Sequence, residues 1–314
     1  MPIHDLRIIF MGTPEFAVPS LEILVKNGCR VVAVVTAPDK PKGRGQEVAT
    51  SAVKDAALRH SIPVLQPTNL KSADFITAVR AFDANLQVVV AFRMLPEVIW
   101  QMPLLGTFNL HASLLPDYRG AAPINWAIIN GEKETGTTTF FLQHAIDTGN
   151  ILFQEKEPIT ADDDAGSLYE RLMITGAALV LKTVDHIAAG TYKEAPQMPK
   201  QEAKHAPKIF KETCKINWHQ DADKVYNFIR GLSPYPAAWT VLNDKTCKIY
   251  KTSRTNLKDK SLAPGAYVSD DQTYLYFQTS THLLSIEELQ LEGKKKMKID
   301  AFLRGNKVVQ DQAK

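Results

Sequence analysis

The chain has 314 residues, of which 45% are hydrophobic and 23% charged, and its formal net charge is +3. This length exceeds what one hydrophobic core usually organises, so we predict two domains of a soluble globular protein and exclude a disordered or fibrous chain. Three widely spaced cysteines without a CxxC pair indicate neither disulfides nor a zinc site and favour a reducing compartment, and no apolar run reaches the ~18 residues of a membrane span.

Apolar runs and amphipathic stretches alternate through the N-terminal part of the sequence. The runs are rich in β-branched residues and are closed by glycine, proline or polar residues, which is typical of strands. This alternation predicts an α/β fold, a Rossmann-like domain with a mostly parallel sheet whose ligands bind beyond the carboxyl ends of the strands. We predict strands at 7–11, 30–37, 64–67 and 86–91, and helices at 14–27, 51–60 and 72–82.

The pattern continues to residue 189 and then changes. A strand ending near 111, a helix at 122–130, strands at 136–144 and 150–159 and a helix at 165–189 are predicted in that order. The stretch 190–208 holds three prolines and little periodicity, and short strand-like runs follow a helix near 221–232. We therefore predict an N-terminal α/β domain at 1–189, a linker at 190–207 and a smaller C-terminal β-barrel domain at 208–314.

The basic surplus of the chain lies in its C-terminal third. From residue 208 onward there are 18 Lys and Arg against 12 Asp and Glu, a balance of +6, whereas the preceding 207 residues hold 19 against 22, a balance of −3. A surplus of this size is compatible with a polyanionic partner but is smaller than that of a dedicated nucleic-acid domain, and on charge alone a solvated lysine-rich surface is favoured.

Two polar side chains lie where the strand ending near residue 111 should be apolar. Asn109 and His111 are two residues apart, so they point to the same side of the strand, near its carboxyl end. An amide and an imidazole on one face can donate hydrogen bonds to an oxygen that gains negative charge in an acyl transfer. Asp147, in an Asp-Thr-Gly turn after the next strand, could hold the imidazole. A satisfied core histidine and an ordinary turn remain the alternative.

Longer strings around these residues resemble the methionyl-tRNA formyltransferase family. The stretch FNLHASLLPDYRGAAPINWAI, the later AIDTGNIL, and matches from RIIFMGTPEFAVPSLEIL to LEGKKKMKIDAFLRG extend the resemblance over nearly the whole chain. It implies transfer of a formyl group from 10-formyltetrahydrofolate, without a metal, to the α-amine of methionine on initiator tRNA in the cytoplasm. In this resemblance Asn109, His111 and Asp147 fall on the catalytic positions, and the folate-binding motif comprises Ser113, Leu114, Leu115 and Pro116.

The resemblance also implies a tRNA-binding surface. The loop PDKPKGRGQEVATS matches the family loop that reaches the acceptor stem, where Arg44 is the matching arginine and Lys40 and Lys42 add charge. An OB-like C-terminal barrel supports the tRNA in this family. Its KKKMK run makes Lys294, Lys295 and Lys296 candidates for salt-sensitive phosphate contacts. Nothing in the sequence demands more than a monomer.

One stretch departs from the family pattern. VVVAFRMLP is one residue shorter than the usual form and has Arg93 where glycine is common. The resemblance makes Phe92, Arg93 and Met94 candidates for the wall of the pterin pocket. A second difference, Tyr-Pro in LSPYPAAW where Trp-Pro is frequent, is conservative.

Three other functions compete with this interpretation. Formyltransferases that act on glycinamide ribonucleotide or on nucleotide sugars, and the hydrolase part of formyltetrahydrofolate dehydrogenase, share the triad but differ in length or domain content. A dinucleotide-dependent dehydrogenase is suggested by FMGTPEF, although the GxGxxG fingerprint is missing. An RNA-binding module with a relict active site is the third.

Overall fold

The structure is a computed structural model, and it describes residues 5–42, 47–198 and 202–308. It divides into two compact units that interleave along the chain. The first unit comprises Met1–Gly120, Thr135–Pro158 and Tyr169–His205, and the second comprises Ala121–Glu134, Ile159–Leu168 and Ala206–Lys314. The predicted boundaries at 189 and 207 stay a prediction.

The helices and strands of the described residues follow the predicted alternation closely. In chain order they are β1 Arg7–Gly12, α1 Val18–Lys26, β2 Arg30–Val35, β3 Lys40–Lys42, β4 Glu47–Ala49, α2 Ala52–Arg59, β5 Val64–Leu65, α3 Ala73–Ala81, β6 Leu86–Val90, α4 Glu97–Trp100, β7 Thr107–His111, β8 Arg119–Gly120, α5 Pro123–Ile129, β9 Glu134–Phe141, β10 Ile151–Pro158, α6 Ala165–Ala189, β11 His205–Ala206, α7 Ala222–Leu232, β12 Ala238–Leu242, β13 Lys245–Arg254, β14 Tyr267–Ser269, β15 Leu275–Gln278, β16 Leu283–Leu291, β17 Met297–Lys298 and α8 Ile299–Leu303.

The first unit is built on a seven-stranded sheet in the order β10-β9-β7-β6-β1-β2-β5. Strands β5, β2, β1, β6 and β7 are parallel neighbours, and β9 runs antiparallel to β7. The central strand β1 is buried at nearly every position because helices cover both faces, which is why its sequence reads as a continuous apolar run. The predicted mostly parallel sheet is confirmed.

Serine side chains fix the start of two of the covering helices. The Ser51 hydroxyl accepts the Lys54 N–H at the start of α2, and the Ser72 hydroxyl accepts the Phe75 N–H at the start of α3. Each bond satisfies a backbone donor that the helix itself cannot pair. The stretch before α2, expected as a loop, instead forms a short antiparallel hairpin in which Pro41 pairs with Val48.

Helix α6 is long and apolar enough to cross a membrane by length and composition. Half of its most apolar stretch is buried inside the protein. Leu168, Leu172 and Leu179 are buried at helical spacing, which is typical of a helix that packs on a core.

The second unit contains an antiparallel sheet that curls into a half-barrel. Its strands run in the order β12-β13-β16-β15-β14, with β17 paired to β16. Helix α7 packs on this sheet through Val225, Ile229 and Leu232. The helix begins at Asp221, whose carboxylate accepts the Lys224 N–H. The predicted combination of an α/β domain and a smaller β domain is confirmed.

Candidate active site

Strand β7 carries the predicted pair at its carboxyl end. Asn109 lies between Val89 of β6 and Phe140 of β9, and His111 pairs with Thr138. Asn109 is half-buried and His111 is 7% exposed, whereas the alternate residue Leu110 belongs to the core. The amide and the imidazole therefore share one side of the sheet, as their spacing predicted.

The His111 ring lies between a backbone carbonyl and a carboxylate. Its Nε2 is 2.8 Å from the Tyr118 carbonyl oxygen, and its Nδ1 is 3.9 Å from Oδ2 of Asp147. Because a carbonyl oxygen can only accept, Nε2 carries a proton and donates it. In the neutral ring Nδ1 is therefore unprotonated, so a proton gained by the ring is added on the side of Asp147. The Nδ1 to Oδ2 distance exceeds a direct hydrogen bond by about 1 Å.

The Asp147 turn has a constrained backbone. Asp147 has φ +54°, in the left-handed region that non-glycine residues rarely adopt. Its Oδ2 accepts the Gly120 N–H at 3.0 Å. At Gly149, a Cβ would lie 1.6 Å from the Phe141 carbonyl oxygen, so only glycine fits this close approach. The turn thus brings the carboxylate to the end of β7, and the side chains of Asp147 and His111 are 15% and 8% exposed.

Hydrogen bonds from β9 and β10 hold the loop after β7. Thr138 donates its hydroxyl to the Ser113 carbonyl at 2.7 Å and accepts the Leu115 N–H at 3.2 Å. The Gln154 amide donates to the Leu115 carbonyl and to the Thr138 hydroxyl, both at 2.9 Å. Ser113 donates its own hydroxyl to the Asp117 carbonyl at 2.7 Å. Ser113 and Leu115 are buried, and Leu114 and Pro116 are half-buried.

The three candidates in the shortened stretch point in different directions. Phe92 packs against the core cluster that contains Leu95 and Ile99. The Arg93 guanidinium lies over the Phe92 ring and donates to the carbonyls of Pro67 at 2.8 Å and Thr68 at 3.3 Å. Met94 is 76% exposed. Arg93 therefore makes its described hydrogen bonds with the segment after β5, while Met94 faces solvent.

The candidate tRNA-binding residues lie in both units. Lys40 is exposed on β3, Lys42 ends that strand, and Arg44 lies outside the described residues. In the second unit Lys294 and Lys295 are exposed. Lys296 differs, because its Nζ is 2.6 Å from the Glu288 carboxylate and 4.7 Å from the Tyr250 ring centre.

Four polar contacts of the site were not anticipated from the sequence. They come from the Tyr118 carbonyl, the Gly120 N–H, the Thr138 hydroxyl and the Gln197 amide. Backbone groups carry no signature of their own, and Gln197 is 50 residues from Asp147 in the chain. Among the described residues no group of three or more His, Cys, Asp and Glu could hold a metal ion.

Comparison with known families identifies the class of protein. The family described as formyl transferase matches residues 6–184, and the formyl transferase C-terminal domain matches residues 208–307. The chain therefore belongs to the formyltransferase family.

Close relatives share one name. A methionyl-tRNA formyltransferase of Azobacteroides pseudotrichonymphae genomovar. CFP2 is 53% identical over 319 residues, covering 98% of each chain. A methionyl-tRNA formyltransferase of Bacteroides fragilis is 52% identical, covering 96% of this chain and 95% of the relative.

Solved structures share the fold at lower identity. HypX from Aquifex aeolicus in complex with tetrahydrofolic acid has a TM-score of 0.65 and 18% identity over 95% of this chain, which spans 47% of that protein. An N-formyltransferase from Helicobacter canadensis in complex with folinic acid and dTDP-3-aminofucose has a TM-score of 0.64 and 22% identity, covering 93% of this chain and all of that one.

Proposed function

We propose that this protein transfers the formyl group of 10-formyltetrahydrofolate to the α-amine of methionine on initiator tRNA, for the initiation of translation. The observation that carries this proposal is the sequence identity of 53% and 52%, over at least 95% of each chain, with two relatives named methionyl-tRNA formyltransferase. The approach of His111 to Asp147 at the carboxyl end of β7 gives that activity a chemical basis.

In the proposed reaction the three polar side chains act on one carbonyl group. The α-amine attacks the formyl carbon, a new C–N bond forms, and the carbonyl oxygen becomes an oxyanion that accepts a hydrogen bond from the Asn109 amide and is stabilised by the positive charge of protonated His111. The bond from the formyl carbon to the folate nitrogen then breaks, the amine loses one proton, and the leaving nitrogen gains one. Asp147 stabilises the imidazolium and assists proton transfer.

The remaining site residues have binding roles in this proposal. The buried loop with Ser113 and Leu115 and the half-buried Leu114 and Pro116 would hold the folate. Phe92 would add apolar surface. Arg93 and Met94 are weaker candidates because the first contacts Pro67 and Thr68 and the second is exposed to solvent.

For the tRNA we propose that Arg44, Lys40 and Lys42 contact the acceptor stem, and that Lys294 and Lys295 contact phosphates. Lys296 would contribute less, since its charge is already paired with Glu288. Because the proposed substrates are those of translation initiation, we propose that the protein acts in the cytoplasm. We also propose that it is a monomer. We retain the proposed division into a catalytic domain at 1–189, a linker at 190–207 and a tRNA-supporting domain at 208–314.

The test is a formylation assay with charged initiator tRNA and 10-formyltetrahydrofolate, read by the mass of the aminoacyl product. Asp147→Asn should lower kcat by at least about 100-fold with any acceptor. The neutral amide no longer stabilises the positive charge of His111, and this charge stabilises the oxyanion. Arg44→Ala should mainly raise KM for the tRNA and leave the rate at saturation within about threefold. Full activity of Asp147→Asn would contradict the triad, and formylation of a nucleotide-sugar amine in place of the tRNA would reassign the acceptor.

A further inference from the structure

The side chain of Gln197 uses all of its hydrogen-bonding capacity beside the Asp147 turn. Its Nε2 donates to the carbonyls of Asp147 at 2.9 Å and Gly149 at 2.8 Å. Its Oε1 accepts from Nε of Arg119 at 3.0 Å and also from Nη2 of Arg119. Carbonyls only accept and a guanidinium only donates, so the orientation of the amide is unambiguous.

Both groups joined by Gln197 belong to the site. One is the turn whose central residue, Asp147, holds a left-handed backbone. The other is the segment 118–120, whose Tyr118 carbonyl accepts from His111 and whose Gly120 N–H donates to the Asp147 carboxylate. Gln197 therefore joins the Asp147 turn to the segment 118–120, and the hydrogen bonds of these two parts hold His111 and Asp147 next to each other.

An isolated β-bridge two residues before Gln197 ties this segment to β10. Ala195 and Ile151 exchange backbone hydrogen bonds at 2.8 and 2.9 Å, and Asn150 donates its side-chain amide to Glu194 at 2.8 Å. The side chain is half-buried. A glutamine amide anchored in this way can hold a strained turn that the turn's own residues would not maintain.

We propose that Gln197 is a positioning residue for the reaction. It acts through Asp147 by holding the carboxylate at its distance from His111, and it makes no contact with the reacting atoms. The inference rests on the proposed function, in which Asp147 supports the charged imidazole. It assigns a role to a segment that the sequence presents as part of a proline-rich linker.

The experiment compares steady-state kinetics of the full-length enzyme and two Gln197 variants. Gln197→Ala removes all four bonds and should lower kcat by about 10- to 100-fold, with KM for the tRNA and for the folate within about threefold of wild type. Gln197→Glu keeps the acceptor for Arg119 but cannot donate to the two carbonyls, so it should lose kcat to a similar extent. Because its volume matches glutamine, it keeps the test valid if the alanine variant does not fold.

Glu194→Ala is the matched control. It removes the neighbouring bond to Asn150 in the same segment and leaves the four hydrogen bonds of Gln197 in place, so it should keep kcat within about twofold. A general loosening of the segment would lower the rates of Glu194→Ala and Gln197→Ala alike. Wild-type kcat in Gln197→Ala, a change confined to KM, or full activity of Gln197→Glu would each overturn the role. Failure of the wild type to formylate methionyl-tRNA would instead reject the proposed function.

Discussion

Thr138→Val tests how the loop after β7 is held in place. The Thr138 side chain is fully buried, and its hydroxyl bonds the Ser113 carbonyl, the Leu115 N–H and the Gln154 amide. Valine has nearly the same shape, so the substitution removes these bonds with little change in packing. The Gln154 amide keeps its bond to the Leu115 carbonyl, whereas the Ser113 carbonyl and the Leu115 N–H lose the hydroxyl.

The magnitude follows from the two backbone groups that lose their bond to the hydroxyl, the Ser113 carbonyl and the Leu115 N–H. A buried polar group without its partner costs about 1–3 kcal/mol, so we expect Thr138→Val to lower the free energy of unfolding by about 3 kcal/mol. For a unit of this size that corresponds to a fall of roughly 6–12 °C in melting temperature, measured by scanning calorimetry. The rate of formyl transfer should fall as well, because Ser113 and Leu115 belong to the proposed folate-binding loop.

The neighbouring residue supplies the matched control. Thr137 lies on the same strand and is fully buried, but its hydroxyl has no hydrogen-bond partner in the part of the chain that the structure describes. Thr137→Val therefore removes an unsatisfied polar atom and should leave the melting temperature unchanged or raise it. If the two variants melt within about 2 °C of each other, the hydrogen bonds of Thr138 do not hold this loop.

Two further predictions concern the capped helix and the cysteines. Asp221→Ala should lower the free energy of unfolding by about 1 kcal/mol at pH 7. The Lys224 N–H holds the pKa of Asp221 below its ordinary value. The difference in the free energy of unfolding between wild type and variant should therefore shrink as pH falls through the folded pKa of Asp221. Urea unfolding from pH 7 to pH 3 measures this difference. Burial raises the pKa of Cys29 to about 11 and that of Cys247 to about 12. Neither thiol should therefore react with iodoacetamide at pH 8 until denaturant is added, as measured by intact mass. Rapid labelling of Cys247 in the folded enzyme would refute this prediction.

The elements of the first unit could be predicted because their sequence signals are local. Strand β1 is a continuous apolar run, and α6 has a helical pattern whose ends were predicted at the observed residues. The pair of Asn109 and His111 was visible because a polar residue in an otherwise buried strand is unusual. Local patterns of this kind predict both the helices and strands of the first unit and the polar pair at the end of β7.

The hydrogen bonds that position the site residues could not be predicted from the sequence. They join distant parts of the chain through backbone groups and a glutamine side chain, which have no distinctive sequence pattern. The Tyr118 carbonyl and the Gly120 N–H are backbone atoms, and the bonds of Gln197 span 50 and 78 residues. Prolines around Gln197 indicated a linker, since proline breaks periodic patterns, yet this segment pairs with Ile151. The hairpin of β3 and β4 was missed because its strands are only three residues long.

Helix α5 was also predicted, but its partner was not. It lies beside α7 in the second unit, where the Asn125 amide donates to the Gly231 carbonyl at 2.8 Å. A Cβ at Gly231 would lie 2.6 Å from the Ile129 side chain, so glycine permits this close crossing. The sequence separation of about one hundred residues hides such a pairing from any local pattern.

The interleaving of the two units limits how the protein can be taken apart. The second unit draws on Ala121–Glu134 and Ile159–Leu168 as well as on the chain from Ala206 onward. A fragment that starts after the proline-rich segment lacks α5. A fragment that stops there exposes the apolar side of α5 to solvent, so we expect neither fragment to fold into a stable, soluble protein. Chimaeras between relatives would have to exchange all three stretches together, and inherited variation in them should be correlated for the same reason.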